Sequence, residues 1–392
     1  MRDLPGRHLL YADAMATDAT VLEVPGSGDK TLKVRISSPT RVLWPDAGIT
    51  KLDLAGYLLA VGDRFMALAG HRPVTLQRFP TGIDGEEFYS KNPPKGVPDH
   101  ANTVTVTYPS GRRHPQLVID ELATAVWAVQ MNTITFHPWP VTVGPRPDTL
   151  DNPDELRIDL DPQPGRSFAE VVTAATALRE VLTDAGLTAY PKTSGSRGVH
   201  VYSRIRPEHE FLDVRHGVIA IARELERRLP DLVTTAWWKE QRGDKIFVDF
   251  NQANRDRTIA SAYSPRPLAG APVSMPCSWE HLAGVTPQDF TVRTVPDIVA
   301  SQPDPWADIA EGAGDPAEPV TDVGRRHDAV EPESRRRGGR CLRTPGSRHT
   351  RRRRAAGGST STAGSGPTTS SSTCGTGSSP SRVSSNDACP TS

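Results

Sequence analysis

The sequence predicts an α+β protein, and its second half carries the clearest pattern. Between residues 156 and 251, periodic segments follow one another as strand, helix, strand, strand, helix and strand. This βαββαβ order is typical of ferredoxin-like or RRM-like sheets, whose helices cover one face. Polar and apolar residues alternate along three of these strands, so the face away from the helices is predicted to carry the polar groups.

The first half of the chain also predicts a mixture of helices and strands. Leu54, Leu58 and Phe65 recur at helical spacing, and Thr50 with Asp53 can cap the start of that helix. Residues 103–108 alternate as a strand should. The predicted elements are a helix at 51–69, strands at 73–79, 86–90 and 103–108, a helix at 120–131 and a strand at 133–138.

The second half follows a Pro-rich bridge at residues 143–155. Each of its six elements is bounded by turn residues or by a change of period. They are predicted at 156–161, 168–185, 187–192, 199–204, 213–229 and 245–251, and order is expected to fade after Trp306.

The charge of the chain is unevenly distributed. Lys and Arg together number 46, as do Asp and Glu, but residues 321–392 hold 13 Arg, no Lys and 5 acids. This tail also has 24 Ser and Thr and a single Leu, so it cannot bury enough apolar surface to fold, and disorder is predicted. Three interpretations stay open: extra DNA affinity from Arg351–Arg354, a solvated linker, or GC-rich coding sequence read out of frame.

Cysteine usage and hydropathy exclude several protein classes. Only Cys277 lies outside the tail, so a disulfide framework or a Cys-rich zinc site is not expected. The N-terminus lacks the apolar stretch of a signal peptide, and no apolar run is long enough to span a bilayer. A cytoplasmic protein without membrane partners is therefore predicted.

Three aspartates are predicted to meet on the open face of the sheet. Asp159 and Asp161 share one face of their strand, and Asp249 lies on the polar face of another. Carboxylates at this spacing repel each other unless a cation lies between them, and hard oxygen ligands select Mg²⁺ or Mn²⁺. Two such ions can clamp an in-line phosphoryl displacement. The alternative is a solvated surface pair at a strand edge.

A glycine-rich turn lies between two of the predicted strands, in PKTSGSRGVHVY (191–202). Ser194, Ser196, Arg197 and nearby backbone N–H groups could hold a phosphate there, and His200 enters the next strand. Alone, the segment could be only a tight turn. Beside a carboxylate metal site, a phosphate cradle is what nucleotide chemistry needs.

Six motifs occur together and in order. They are RVLWPDAGITK (41–51), EFYSKN (87–92), RIDLDP (157–162), TSGSRGVHVY (193–202), FVDFNQ (247–252) and AYSPR (262–266). With these motifs the chain resembles the polymerase domain of bacterial DNA ligase D, in the archaeo-eukaryotic primase superfamily, which serves non-homologous end joining. The resemblance covers about residues 31–300 and implies a primase-polymerase fold.

The resemblance implies roles for individual residues of the nucleotide site. Asp159, Asp161 and Asp249 correspond to the metal-binding catalytic triad. The implied triphosphate-binding residues are Ser194, Arg197 and His200, and the implied residue near the sugar is His137. Three further polar positions of the nucleotide pocket are Arg242, Gln252 and Arg266. The implied aromatic pair that stacks on a base is Phe88 with Tyr89.

Contacts to DNA are implied at the start of the matched region. Arg41 and Lys51 fall at two basic positions that grip the 5′-phosphate of a recessed end, and Lys51 lies in the first turn of its helix. Strand alternation predicts that only one of Phe88 and Tyr89 is exposed. Gln77 replaces a basic residue that the family has beside Arg78, which implies a weaker grip on template DNA.

The organisation and function follow from this interpretation. We expect a polymerase that extends a primer 3′-hydroxyl with ribo- or deoxyribonucleotides at DNA ends or gaps, using two Mn²⁺ or Mg²⁺ ions and NTP or dNTP substrates. Its expected partners are 5′-phosphorylated recessed or gapped DNA, Ku and a separate DNA ligase, since no Lys-x-Asp-Gly adenylation motif is present. The predicted divisions are a flexible leader (1–30), an N-terminal α+β module contacting DNA (31–142), the catalytic RRM-like module with a C-terminal segment (143–310) and the disordered tail (311–392).

Two other functions stay open at this stage. A two-metal phosphoesterase would use the same aspartates without the nucleotide-binding turn. A DNA-end-binding protein without catalysis would depend on Arg41 and Lys51 alone. Nucleoid association in the cytoplasm is the expected location for the polymerase.

Overall fold

The computed structural model describes residues 19–108, 110–144, 150–255, 257 and 259–312. A hairpin begins this part of the chain, with strands β1 (Ala19–Pro25) and β2 (Thr31–Ser37) paired antiparallel. The flexible leader predicted for residues 1–30 is therefore wrong for residues 19–30. The turn-rich run PGSGDK closes the hairpin, and the flanking strands alternate between exposed and buried side chains. Residues 1–18 lie outside the described residues.

Two short helices replace the single helix predicted over 51–69. They follow a small antiparallel pair, β3 (Val42–Trp44) and β4 (Ile49–Thr50). Helix α1 (Lys51–Ala60) begins with the predicted capping box between Thr50 and Asp53, and α2 (Gly62–Ala69) follows after a break at Val61. A β-carbon built on Gly62, the first residue of α2, would lie 2.4 Å from a methyl group of Leu122. The lack of a side chain at Gly62 therefore allows Leu122 to approach closely.

The N-terminal sheet has five strands. Strand β6 pairs with β5, which is followed by β8 and β7, and β9 pairs with the other edge of β5. The strand β8 was missed because its centre contains Pro115 and polar residues. The elements are β5 (Pro73–Arg78), β6 (Phe88–Ser90), β7 (Asn102–Thr107), β8 (Arg113–Val118), helix α3 (Leu122–Gln130) and β9 (Thr133–Pro138).

The second sheet confirms the predicted βαββαβ order. Its strand order is β11-β12-β10-β14-β13, so β10 lies at the centre with the polar face open. Helices α4 and α5 pack against the other face and against each other. Short β13 at one edge is an addition to the prediction. The elements are β10 (Glu155–Pro162), α4 (Phe168–Asp184), β11 (Tyr190–Thr193), β12 (Val199–Arg204), α5 (Phe211–Arg228), β13 (Val233–Thr234) and β14 (Ile246–Asp249).

The C-terminal segment joins the two sheets. Its elements are β15 (Ser264–Pro265), β16 (Val273–Ser274), α6 (Trp279–Leu282) and α7 (Val295–Ser301). The amide of Ser261 donates to Phe136 O in β9, and the amide of Thr193 in β11 donates to Met275 O. One apolar core includes residues of both sheets, and the proposed division at residue 142 stays a prediction. The predicted tail lies outside the described residues, which end at Gly312.

A buried cluster of charges connects Arg72, the residue before β5, with the start of β10. The Arg72 guanidinium, 1% exposed, lies 2.7 Å from Asp154 and 2.9 Å from Glu155. Glu155 also accepts a hydrogen bond from Arg157 Nε at 2.9 Å, and Arg204 lies 2.9 Å from Asp154. Buried charges are tolerated only when they are paired, and here Asp154 contacts two arginines and Glu155 contacts three.

A helix that spans a bilayer needs about 20 consecutive, mostly apolar residues. Among the described residues, no helix is both long enough and apolar enough to cross a membrane.

Candidate active site

Three aspartates face one another on the open side of the second sheet. Asp159 and Asp161 project from the central strand β10, both partly exposed between buried neighbours. Asp249 ends β14, and its Cα is the direct cross-strand partner of Asp159. Asp249 is held in place because Gln252 Nε2 donates to one carboxylate oxygen at 2.9 Å and the amide of Asn251 donates to the other at 2.9 Å. The predicted pairing of these carboxylates is thus present.

The carboxylates disfavour one another's charge. Burial, together with the negative charges of Asp249 and Asp161, raises the pKa of Asp159 to about 8. Burial also raises the pKa of Asp161, although the charge of Arg197 opposes this. A cation placed between these groups would relieve the repulsion, and their oxygens are the ligands that Mg²⁺ and Mn²⁺ prefer.

A closed metal cage is absent from the described part of the chain, where no three metal-ligating side chains converge closely enough to hold an ion. This agrees with the way Mg²⁺ binds in nucleotide enzymes. There the ion is held by one or two carboxylates and completes its coordination with waters and substrate phosphates. The aspartates therefore fit a divalent ion that shares its ligands with a phosphate.

A histidine and a lysine continue the row of aspartates across the sheet. His200 in β12 is the cross-strand partner of Asp159, and its Nε2 lies 3.5 Å from an Asp159 carboxylate oxygen. On the other side, His200 Nδ1 lies 2.8 Å from Lys192 Nζ in β11. Burial lowers the pKa of His200 well below its usual value, and the charge of Lys192 adds to this, so the imidazole is neutral. The sequence interpretation missed Lys192, whose signal is a lysine in an otherwise buried strand.

The turn between β11 and β12 is closed by its own serine. Ser194 Oγ accepts hydrogen bonds from the amides of Ser196 at 3.1 Å and Gly198 at 3.0 Å. These two amides are therefore not free to cradle a phosphate, contrary to the predicted use of the turn's backbone N–H groups. Arg197 at the tip is exposed, and its positive charge acts on Asp161.

Arg266 and His137 border the turn on the side of the N-terminal sheet. Arg266 Nη1 donates to Ser194 O at 2.8 Å, while its buried Nε has no acceptor among the described residues. His137 is buried beside Gln77 Oε1, 3.2 Å from Nε2, and its ring centroid lies 5.7 Å from that of Tyr89. Burial, reinforced by the charge of Arg266, lowers the pKa of His137 to about 3. Gln77 thus positions the predicted sugar-side histidine, a function that its sequence position did not reveal.

Known proteins are similar to this chain in sequence. The family described as LigD, primase-polymerase domain, matches residues 50–306. The chain belongs to this LigD primase-polymerase family. The multifunctional non-homologous end joining protein LigD of Pseudomonas aeruginosa is 33% identical over 71% of this chain and 33% of its own length. The bifunctional LigD of Bacillus subtilis is 29% identical over 74% of this chain and 46% of its own length.

A solved structure supports the fold. The polymerase domain from Mycobacterium tuberculosis ligase D, in complex with DNA, is similar with a TM-score of 0.65 and 28% identity. The match covers 71% of this chain and 99% of that one. The chain spans between a third and a half of the length of the two curated relatives above. The predicted primase-polymerase fold is confirmed.

Two further residues that the LigD resemblance assigned to the nucleotide pocket are Gln252 and Arg242. They contact Asp249 and Phe247, respectively. Gln252 binds Asp249 through its amide nitrogen, as described above, while its buried Oε1 has no donor in the described segments. Arg242 lies with its guanidinium carbon 3.5 Å from the Phe247 ring centroid and donates to Trp237 O at 3.0 Å. Phe247 is the cross-strand partner of Asp161, so Arg242 lies beside the aspartates.

The aromatic pair of the LigD motif differs from the expectation. Phe88 is 43% exposed and Tyr89 55% exposed, so the prediction that only one of them faces solvent is wrong. Strand β6 has three residues at the edge of its sheet, and side chains on both of its faces remain uncovered. Both rings are available to a ligand.

The two basic residues that the LigD resemblance assigned to a DNA 5′-phosphate have different environments. Arg41 is exposed and donates from Nη1 to Pro80 O. Lys51 is 3% exposed, and its Nζ donates to Gln130 O at 3.2 Å. The burial of Lys51 keeps its ammonium away from solvent, so in the present conformation Arg41 is the more accessible of the two to a phosphate.

Replacing Gly198 with alanine is expected to disrupt the site of this LigD-type chain. A β-carbon there would lie 2.4 Å from Leu160 O, the backbone between the two β10 aspartates. Such overpacking typically costs about 1–3 kcal/mol, and relief would move β10 away from the turn. Urea unfolding and primer extension should both show losses.

The control for that substitution is Gly56→Ala. Nothing lies within 4 Å of a β-carbon at Gly56, which sits inside α1. Alanine there should raise the free energy of unfolding by about 0.5–1 kcal/mol. Equal behaviour of the two variants would contradict the close approach at Gly198.

Proposed function

We propose that this chain is a DNA-directed nucleotidyltransferase that adds nucleotides to a primer 3′-hydroxyl at DNA ends or gaps in non-homologous end joining. The observation that carries the proposal is the row formed by His200, Asp159 and Asp249 across three neighbouring strands. A turn bearing Arg197 lies at one end of this row. Membership of the LigD primase-polymerase family supports the same reaction.

Asp159, Asp161 and Asp249 would hold two divalent ions, Mn²⁺ or Mg²⁺. When bound, such ions neutralise the negative charge that gathers on the transferred phosphoryl group and its leaving group. The raised pKa of Asp159 supports this assignment, because a group that resists ionisation among its neighbours gains most from a nearby cation. The chemistry of the donors, three carboxylates without sulfur, favours hard ions.

The chain's own groups would hold the nucleoside triphosphate. Arg197 is exposed at the tip of the turn, and Arg266 presents a buried, unpaired Nε beside it. The Ser194 hydroxyl has no acceptor among the described residues, so its hydrogen is available to a phosphate oxygen. His200 is neutral and directs Nε2 toward Asp159, where it can contact a phosphate oxygen without adding a positive charge.

On the DNA side, the exposed Phe88 and Tyr89 would stack on a base and Arg41 would contact the 5′-phosphate at a recessed end. Tyr89 lies beside His137. The rings that would stack on a base therefore adjoin the histidine that would lie near the sugar of the nucleotide. We further propose that Ku and a separate DNA ligase are its partners at the nucleoid. NTPs and dNTPs are both candidate substrates.

Extension of a labelled primer on a gapped duplex with a 5′-phosphate tests the proposal. The reaction is run with NTPs or dNTPs and with Mn²⁺ or Mg²⁺, and the same gap without the 5′-phosphate is the matched substrate. Templated addition by the wild-type protein is expected, with lower KM on the phosphorylated gap and with the preferred sugar read directly.

Two outcomes would overturn the proposal. Hydrolysis of the duplex without added nucleotide would indicate a phosphoesterase. Tight binding of the phosphorylated gap without any addition would indicate an end-binding protein.

A further inference from the structure

Two pairs of adjacent aromatic side chains are exposed in the part of the chain that the structure describes. One is the Phe88–Tyr89 pair. The other is Trp237 and Trp238, which are 47% and 62% exposed. All other described Phe, Tyr and Trp side chains are buried or half-buried. Two neighbouring tryptophans left in water are costly unless a ligand covers them.

The tryptophan pair lies on the loop between β13 and β14. These strands are parallel, and Thr234 is the cross-strand partner of Phe247. The chain therefore leaves β13 in the direction in which β14 runs toward Asp249. Trp237 and Trp238 follow within four residues of Thr234, so the loop starts at the aspartate end of this sheet edge.

Arg242 fixes the position of the loop. It donates to Ala236 O at 3.2 Å and to Trp237 O at 3.0 Å while its guanidinium covers Phe247. Phe247 is paired with Asp161 across the sheet. The backbone of the tryptophan pair is thus anchored one side chain away from the aspartates.

The strand order places this loop opposite the turn that would hold the triphosphate. The turn connects β11 and β12, the loop connects β13 and β14, and β10 with its two aspartates lies between them. In an in-line phosphoryl transfer, the attacking oxygen and the leaving oxygen lie on opposite sides of the phosphorus. If the pyrophosphate lies on the β12 side and the in-line axis runs across the strands, the attacking hydroxyl comes from the β14 side.

We propose that Trp237 and Trp238 bind the primer strand next to its 3′-hydroxyl, by stacking on its terminal bases. This inference rests on the proposed polymerase function. Stacking on tryptophan is tolerant of sequence, as an enzyme that meets any broken end requires. Lys239, an exposed residue of the same loop whose positive charge acts on Asp161, can contact the primer's phosphates.

Steady-state primer extension separates this role from a structural one. Trp238→Ala is expected to raise the KM for primer about tenfold, the effect of losing one base stack. The kcat and the KM for nucleotide should stay near wild type, and Trp238→Phe should restore most of the primer affinity. Leu212→Ala is the control, because Leu212 is 59% exposed on α5, a helix packed against the other face of the sheet. An unchanged primer KM in Trp238→Ala would overturn the proposal.

A titration of tryptophan fluorescence without nucleotide provides an independent readout. A gapped duplex with its primer strand should quench the wild-type signal, and the Trp237→Phe/Trp238→Phe variant should lose this quenching. The same duplex lacking the primer strand should quench much less. Quenching that persists without the primer, or in the double variant, would overturn the primer assignment. Failure of the wild type to extend any primer would instead contradict the polymerase function, while the titration still decides the DNA contact.

Discussion

Substitution of Asp159 with asparagine is expected to reduce nucleotide addition by roughly 10³-fold and to stabilise the metal-free protein at pH 8. The loss of activity follows from removal of a ligand to both proposed ions, since metal ions supply several kcal/mol of transition-state stabilisation. The gain in stability follows from removal of a carboxylate that faces Asp249 and Asp161.

The pH dependence distinguishes this explanation from a general packing effect. Burial and the neighbouring aspartates raise the pKa of Asp159 from 3.8 to about 8 in the folded protein. A raised carboxyl pKa means that the unfolded chain releases its proton first as pH rises, so stability declines between about pH 4 and pH 8. The wild-type melting temperature, measured in EDTA, should fall across this window, and that of Asp159→Asn should fall less.

Divalent ions should reverse the order of the two melting temperatures, so that the wild type melts above Asp159→Asn. Mn²⁺ is expected to bind the folded wild type and to raise its melting temperature by mass action, whereas Asp159→Asn should gain little. Asp29→Asn, an exposed aspartate in the β1–β2 turn, is the control and should behave as wild type in every assay. Near-normal addition by Asp159→Asn, or a wild-type melting temperature that is constant from pH 5 to pH 8, would contradict this account.

Loss of the Glu155 charge is expected to lower the free energy of unfolding more than any other substitution proposed for this protein. In Glu155→Gln, Arg72 and Arg157 stay buried and lose their shared carboxylate. Removing one partner of a buried ion pair typically costs about 3–5 kcal/mol. Urea unfolding at pH 7 measures this directly. Arg227→Gln is the matched control, since the exposed pair of Arg227 with Glu224 should matter far less.

The same cluster predicts sensitivity to acid. Burial alone would raise the pKa of Glu155, but the charges of Arg72 and Arg157 outweigh it and lower the pKa to about 2. A carboxyl with a lowered pKa contributes its stability above about pH 4.5 and loses it as pH falls toward about 2. Glu155→Gln should therefore lose part of the acid dependence seen in the wild type. An unfolding free energy within error of wild type at pH 7 would show that the cluster is not needed.

Local sequence patterns were sufficient to predict the second sheet. Alternation in LRIDLDP places Asp159 and Asp161 on one face because successive strand side chains point to opposite sides. The order of periods predicted the βαββαβ arrangement, and the Thr50–Asp53 capping box was visible as a motif. These features depend on residues a few positions apart, so the sequence displays them directly.

Features that depend on pairing between distant segments required the tertiary structure. Strand β1 and the turn after it fall within the predicted leader (1–30), because the turn residues conceal a strand that is stabilised only by pairing with β2. Lys51, which the resemblance places at a DNA phosphate, is buried and donates a hydrogen bond to Gln130 O, far along the chain. The exposure of both Phe88 and Tyr89 depends on the position of β6 at a sheet edge.

The sequence by itself therefore determined which residue types carry the chemistry and which faces of their strands they occupy. The tertiary structure decided which of them meet: Asp159 opposite Asp249, His200 against a buried Lys192, and His137 against Gln77. It also fixed the loop of Trp237 and Trp238 through Arg242, which contacts Trp237 O and the Phe247 ring. The physical reason is that side-chain direction is set by local backbone geometry, whereas strand register and burial are set by the packing of segments far apart in the chain.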